Sequence, residues 1–238
     1  METVSDLAVR NRPPALAALK DCGSVGIGLV PLGLAFGAFL AHAGLAWWWA
    51  TVFTTFIYAG SFEFLLIGLA AAATPLASIG LSAFLVNVRH VFYALSFPLH
   101  RVRGRAARAY STFALTDEAY ALSTTDAARE WNGTRILWLQ LFLHLFWVGG
   151  GTVGGLLGSL IPSSVVGLDF AMTALFAVLA LDAVRDRKGD LPTPVLAALS
   201  AVVARVVFPG QMLLAAFLLF VAALVVRGLV AERSVRDA

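Results

Sequence analysis

The 238-residue chain has one cysteine, three methionines, four histidines and few charges, with only 13% of its residues Asp, Glu, Lys or Arg. A lone cysteine, Cys22, excludes an internal disulfide and any cysteine-based metal site. Soluble domains carry about 25% charged residues, so the deficit argues against an ordinary water-soluble fold. Catalytic signatures are missing too. The chain contains no phosphate-binding loop, no HExxH and no GxSxG, and its histidines are not at metal-ligand spacing. No enzyme activity, cofactor or metal is therefore expected.

Apolar surface is what the chain has in excess: 60% of its residues are hydrophobic, and the mean hydropathy is +0.85. Apolar runs lie near 17–42, 46–73, 76–99, 134–161, 167–184, 191–207 and 209–230. A helix needs about 20 such residues to cross the hydrocarbon core. The expected fold is thus an all-α integral membrane protein. A single polytopic domain over residues 17–230 lies between cytoplasmic tails at 1–16 and 231–238. No cleavable signal peptide is expected, because the N-terminus is acidic and polar (Glu2, Asp6, Arg10, Arg12) and the first apolar run is too long for one. The basic pI does not point to nucleic acid. The arginines sit between apolar segments, where they orient spans in the bilayer.

Those basic residues form five clusters: Arg10/Arg12/Lys20, Arg101/Arg103/Arg105/Arg108, Arg129/Arg135, Arg185/Arg187/Lys188 and Arg227/Arg233/Arg236. The positive-inside rule places all five in the cytoplasm. Seven simple crossings cannot do this, since three crossings before Arg101 would put its cluster outside. The 46–73 segment is therefore expected to be a re-entrant pair of half-helices that turns near Ala59, Gly60 and Ser61. About six spans remain, with both termini cytoplasmic in a bacterial-type inner membrane. The alternative is one tilted span at 46–73 with 109–127 crossing as another, which leaves the four-arginine loop outside. Tyr110–Thr125, with Asp117 and Glu118, reads as a surface helix or as a second re-entrant element. The small-residue segments Gly33–Gly44 and Gly149–Gly158 are candidate counterparts in an inverted repeat.

Charge inside the membrane costs about 2.5 kcal/mol or more, so it is informative where it occurs. Tyr58-Ala59-Gly60-Ser61-Phe62-Glu63 is followed one helix later by Asn87-Val88-Arg89-His90 and Tyr93. Glu63 and Arg89 are expected to pair. Tyr58, Gly60, Ser61, Glu63, Asn87, Arg89, His90 and Tyr93 form the candidate site for solute binding or proton exchange, together with Asp169 at the start of the fifth span. The plainer readings are a register-fixing ion pair, an Arg89 that snorkels to the interface, and an Asp169 that merely favours a helix N-terminus. Pro31, with Gly33 beside it, is expected to kink the first span. His144 reads as a packed histidine and Trp47–Trp49 as interfacial anchors.

The order Pro31-Leu-Gly33-Leu-Ala-Phe-Gly37, Tyr58-Ala-Gly-Ser-Phe-Glu63-Phe, Asn87-Val-Arg-His90 with Tyr93, Asp117-Glu118 and Gly167-Leu-Asp169-Phe-Ala resembles the AzlC family, from about residue 20 to 228. The family comprises large subunits of bacterial branched-chain amino acid exporters of the YgaZ type. The resemblance implies secondary export of valine, leucine, isoleucine or methionine, driven by protons, with a small AzlD-like membrane subunit as partner. An amide is the family's residue where this chain has Glu63. A passive pore for a small solute and a non-transporting membrane scaffold are the competing classes.

Overall fold

In the computed structural model the chain is described over residues 13–160 and 189–236, with parts of 177–185. Regular structure among the described residues is helical throughout. Asp169 and most of the expected fifth span lie outside the described residues. The chain forms two compact units, residues 1–73 with 87–168 and residues 74–86 with 169–238.

The first unit is built on two long helices, α1 (Pro14–His42) and α8 (Gly133–Gly158). Pro14 opens α1, where its missing N–H costs nothing. The Asn132 side chain caps α8 by accepting from the Arg135 N–H at 2.8 Å. α1 runs through Pro31 and Gly33 as one 29-residue helix. Gly33 lets α8 approach, since a Cβ there would lie 2.9 Å from the Gly151 nitrogen. Side chains at Gly37 and Gly154 would likewise run into Gly151 and Leu34 backbone. The glycines of the two helices thus form a close-packed seam, which replaces the hydrophobic driving force that lipid cannot supply. Below it, Arg135 donates to Asp21 at 2.7 Å, tying α8 to α1 by an ion pair.

Against this pair lie shorter pieces: α2 (Trp48–Phe56), α3 (Gly60–Ala71), α5 (Arg89–Ser96), α6 (Arg105–Phe113) and α7 (Asp117–Ser123). Thr51 on α2 bonds Thr152 on α8 at 2.7 Å. The expected interruption of 46–73 is present but begins earlier, at Ile57-Tyr58-Ala59. Tyr58 takes the left-handed conformation (φ 48°), whereas Gly60 is already helical. Gly60 is small because the Trp147 ring passes it: a Cβ would sit 3.2 Å from the indole. A second interruption, at Ala114-Leu115-Thr116, separates α6 from α7.

The second unit contains α4 (Leu76–Asn87) up to Val86, α9 (Pro192–Val207) and α10 (Met212–Arg236). Arg227 of α10 reaches Asp190 at 2.8 Å and Thr193 at 2.6 Å, which pins α10 to the start of α9. Among the described residues, three helical stretches are long and apolar enough to cross a membrane, namely α1, α8 and Pro209–Ala231. A fourth results if α4 and α5, interrupted at Val88, count as one broken span. α3 and α9 are apolar but shorter, at 12 and 16 residues.

Candidate functional site: two helix breaks held on one helix

A broken helix leaves carbonyls and N–H groups without partners, and inside a membrane each must be satisfied by protein. Here one face of α8 meets some of these groups at both breaks. Gln140, His144 and Trp147 follow one another at i, i+4 and i+7, and so lie along a single stripe.

At the end of α2 the break frees the Thr54 carbonyl, and His144 Nε2 lies 3.2 Å from it. A carbonyl can only accept, so Nε2 carries the proton. In the neutral ring Nδ1 then accepts from the Tyr110 hydroxyl on α6, 3.3 Å away. The His144 ring also stacks on Tyr58 with centroids 4.1 Å apart. On the far side of this break, Glu63 is fully buried. One oxygen accepts from the Ala59 N–H at 2.9 Å, and the other from the Trp147 indole N–H at 3.0 Å. The first bond closes the start of α3 in the manner of a capping box, at the helix end where negative charge is favoured. The N–H groups of Gly60, Ser61 and Phe62, the first turn of α3, have no acceptor among the described residues.

The second break is held by Gln140, which is also fully buried. Its amide donates to the carbonyls of Ser111 at 2.8 Å and Ala114 at 3.0 Å, while its oxygen accepts from the Ser111 hydroxyl at 2.7 Å. Thr116 then caps α7 by accepting from the Ala119 N–H at 3.4 Å. The two breaks meet directly. The Tyr58 hydroxyl reaches the Thr116 side chain, and the Tyr58 and Phe113 rings are 5.9 Å apart.

The expected Glu63–Arg89 pair is replaced by a different arrangement. Arg89 forms a two-pronged pair with Asp117, through Nε at 2.8 Å and Nη2 at 2.8 Å. His90 Nε2 stands 3.7 Å from the same carboxylate, and Tyr93 also bonds it. The reason is depth. Glu63 faces α8 with both oxygens already occupied, whereas Arg89 starts α5 beside the first turn of α7. Arg89 and Asp117 remain 40% and 46% exposed, so this pair lies on an accessible wall and not in the core. The run of candidate residues Asn87, Arg89, His90 and Tyr93 is divided at Val88, with Asn87 ending α4 and the other three on α5. Ser61 is half-buried in the first turn of α3. Sequence reasoning gave no site role to Gln140, His144, Trp147 or Tyr110. Their signal was the i, i+4, i+7 spacing of polar groups in an otherwise apolar helix.

This is the architecture of a polytopic helical membrane protein with interrupted helices. The chain belongs to the AzlC family: the family model, described as "AzlC protein", matches residues 24–161. It is 34% identical over 159 residues to the "Branched-chain amino acid transport protein AzlC" of Bacillus subtilis, covering 65% of this chain and 62% of that protein. It is 36% identical over 174 residues to an "Uncharacterized membrane protein" of Helicobacter pylori, covering 70% of this chain and 76% of that protein. To the "Inner membrane protein YgaZ" of Escherichia coli it is 28% identical over 166 residues, covering 66% and 68%. No solved structure matches.

Proposed function

We propose that this chain is the large subunit of a secondary transporter. It exports valine, leucine, isoleucine or methionine across the cell membrane, is driven by the proton gradient, and works with a small AzlD-like membrane subunit. The printed name of the Bacillus relative supports the substrate class. The observation that carries the mechanism is the meeting of two interrupted helices at Tyr58 and Thr116, both fixed to α8. Interrupted helices offer backbone groups to a solute at membrane depth, as in other secondary transporters.

In this reading the open amides of Gly60 and Ser61 receive the substrate carboxylate, as helix N-termini receive anions. Tyr58 and Phe113 face its apolar side chain. Asn87, Arg89, His90 and Tyr93 frame the accessible wall, Asp169 remains a proposed member of the site, and Glu63 shapes the break. The half-helices α2 and α3 form a re-entrant pair open to the outside, both termini are cytoplasmic, and cysteine at Arg105 labels only from the inside.

The test is flux in proteoliposomes that hold the full chain, with and without the small subunit, against a panel of labelled amino acids. Branched-chain export that collapses when the proton gradient is removed is the expected result. Flux indifferent to the gradient would make the chain a passive pore, and absence of flux for every amino acid in both preparations would make it a scaffold.

A further inference from the structure

We propose that Glu118 is the counter-ion for the ammonium group of the transported amino acid. The proposal rests on the transport reading above and assigns one contact within it. An amino acid carries a cation as well as a carboxylate, and taking an ammonium out of water requires an acceptor of opposite charge.

Among the described acids of the first unit, all but Glu118 and Glu130, which is exposed at the end of the 126–130 turn, are already committed. Both oxygens of Glu63 accept hydrogen bonds, and its side chain is sealed from solvent. Asp117 is held by Arg89 from two directions, with His90 and Tyr93 beside it. Asp21 is paired with Arg135, and Asp126 with Arg129. Three of the backbone acceptors freed by the breaks are taken as well, Thr54 by His144, and Ser111 and Ala114 by Gln140.

Glu118 differs. It follows Thr116 by two residues, so the contact of Thr116 with Tyr58 carries it to the junction of the two breaks. It is half-buried, and its carboxylate makes no hydrogen bond or ion pair with any described residue. Among the described residues, Tyr58 of the first break and Arg89 of α5 lie within its electrostatic reach, and Asp117 is next to it on α7. Asp117 neutralises Arg89, which leaves the Glu118 charge available to a ligand cation.

The test compares leucine with 2-hydroxy-4-methylpentanoate, which has the same skeleton with a hydroxyl in place of the ammonium. Counterflow is measured in proteoliposomes of the full chain, with the small subunit added where wild-type flux requires it. Wild type is expected to prefer leucine. Glu118→Gln should lower leucine flux about tenfold, the scale of one charge-assisted hydrogen bond, and leave the hydroxy acid within about twofold of wild type. Glu118→Asp should keep part of the preference.

The ratio of the two fluxes separates recognition from folding, because a damaged protein loses both together. An unchanged ratio in Glu118→Gln overturns the assignment. If that variant does not fold, the ratio in Glu118→Asp decides in the same way. Wild-type protein that moves leucine but shows no preference over the hydroxy acid overturns the assignment and leaves the transport reading standing. Wild-type protein that moves no amino acid removes the transport reading, and the assignment falls with it.

Discussion

The two helix breaks treat their carboxylates in opposite ways. At the first, Glu63 is buried and spends both oxygens on the Ala59 N–H and the Trp147 indole. At the second, Asp117 is tied to Arg89 at a half-exposed wall, and Glu118 is left over. The fully buried acid is thus fastened at both oxygens, while Asp117 and Glu118 remain half-buried. Depth in the hydrocarbon identifies a group that needs a partner, and the partner can be an indole as readily as a substrate.

The comparison breaks most completely if the common support is moved. Gly154→Leu should abolish folded protein, because the Leu34 backbone lies where the side chain must go. Gly28→Ala, with open space around it, should melt as wild type does. Detergent-solubilised yield and melting midpoint read both.

Detaching one break at a time comes next. Gln140→Leu strands the Ser111 and Ala114 carbonyls and should cost about 1–3 kcal/mol, with amide exchange rising at 114–116 and not at 57–59. His144→Phe should show the reverse pattern, through the Thr54 carbonyl. Equal exchange at both breaks in either variant would mean that α8 does not hold them separately.

Glu63→Gln sharpens the contrast further. Both partners of Glu63 are donors, so an amide presents its own N–H2 to one of them. A loss of about 1–2 kcal/mol is expected, on the scale of hydrogen bonds between membrane helices. Trp147→Phe added to it should recover part of the loss by removing the unmatched donor. Strict additivity in that double-mutant cycle would show that the indole bond is unimportant. The smallest effect belongs to Asp117→Asn. Its pair with Arg89 is half-exposed, so the cost should stay under about 1 kcal/mol and shrink as salt is raised. The melting midpoint at low and high salt measures it.

Much of this was legible in the sequence. Residue spacing located α1, α8 and α10, because a run of apolar residues long enough to span a bilayer has few other uses. The interruption of 46–73 was legible from the small residues and the acid beside them. Its hinge was placed two residues late, because Gly60 was read as a turn when it is a gap for Trp147. The Glu63–Arg89 pair was inferred from opposite sign on successive elements. Sign says nothing about which way a short helix faces, and here the break at Val88 and the position of α7 gave Arg89 a nearer partner. His144 was rightly read as a packed histidine, but its partners were not legible, since Thr54 and Tyr110 are remote in sequence and one of them is a backbone carbonyl.

Composition and spacing alone determined that the chain is helical, that it lives in a bilayer, and that its ionisable residues in apolar runs must be satisfied there. Those are one-dimensional facts, fixed by the thickness of hydrocarbon and the cost of bare polar groups within it. Only the tertiary structure decided which donor meets which acceptor. That depends on α1 meeting α8 along the glycine seam and on the shorter helices meeting the Gln140–His144–Trp147 stripe, which no local pattern encodes.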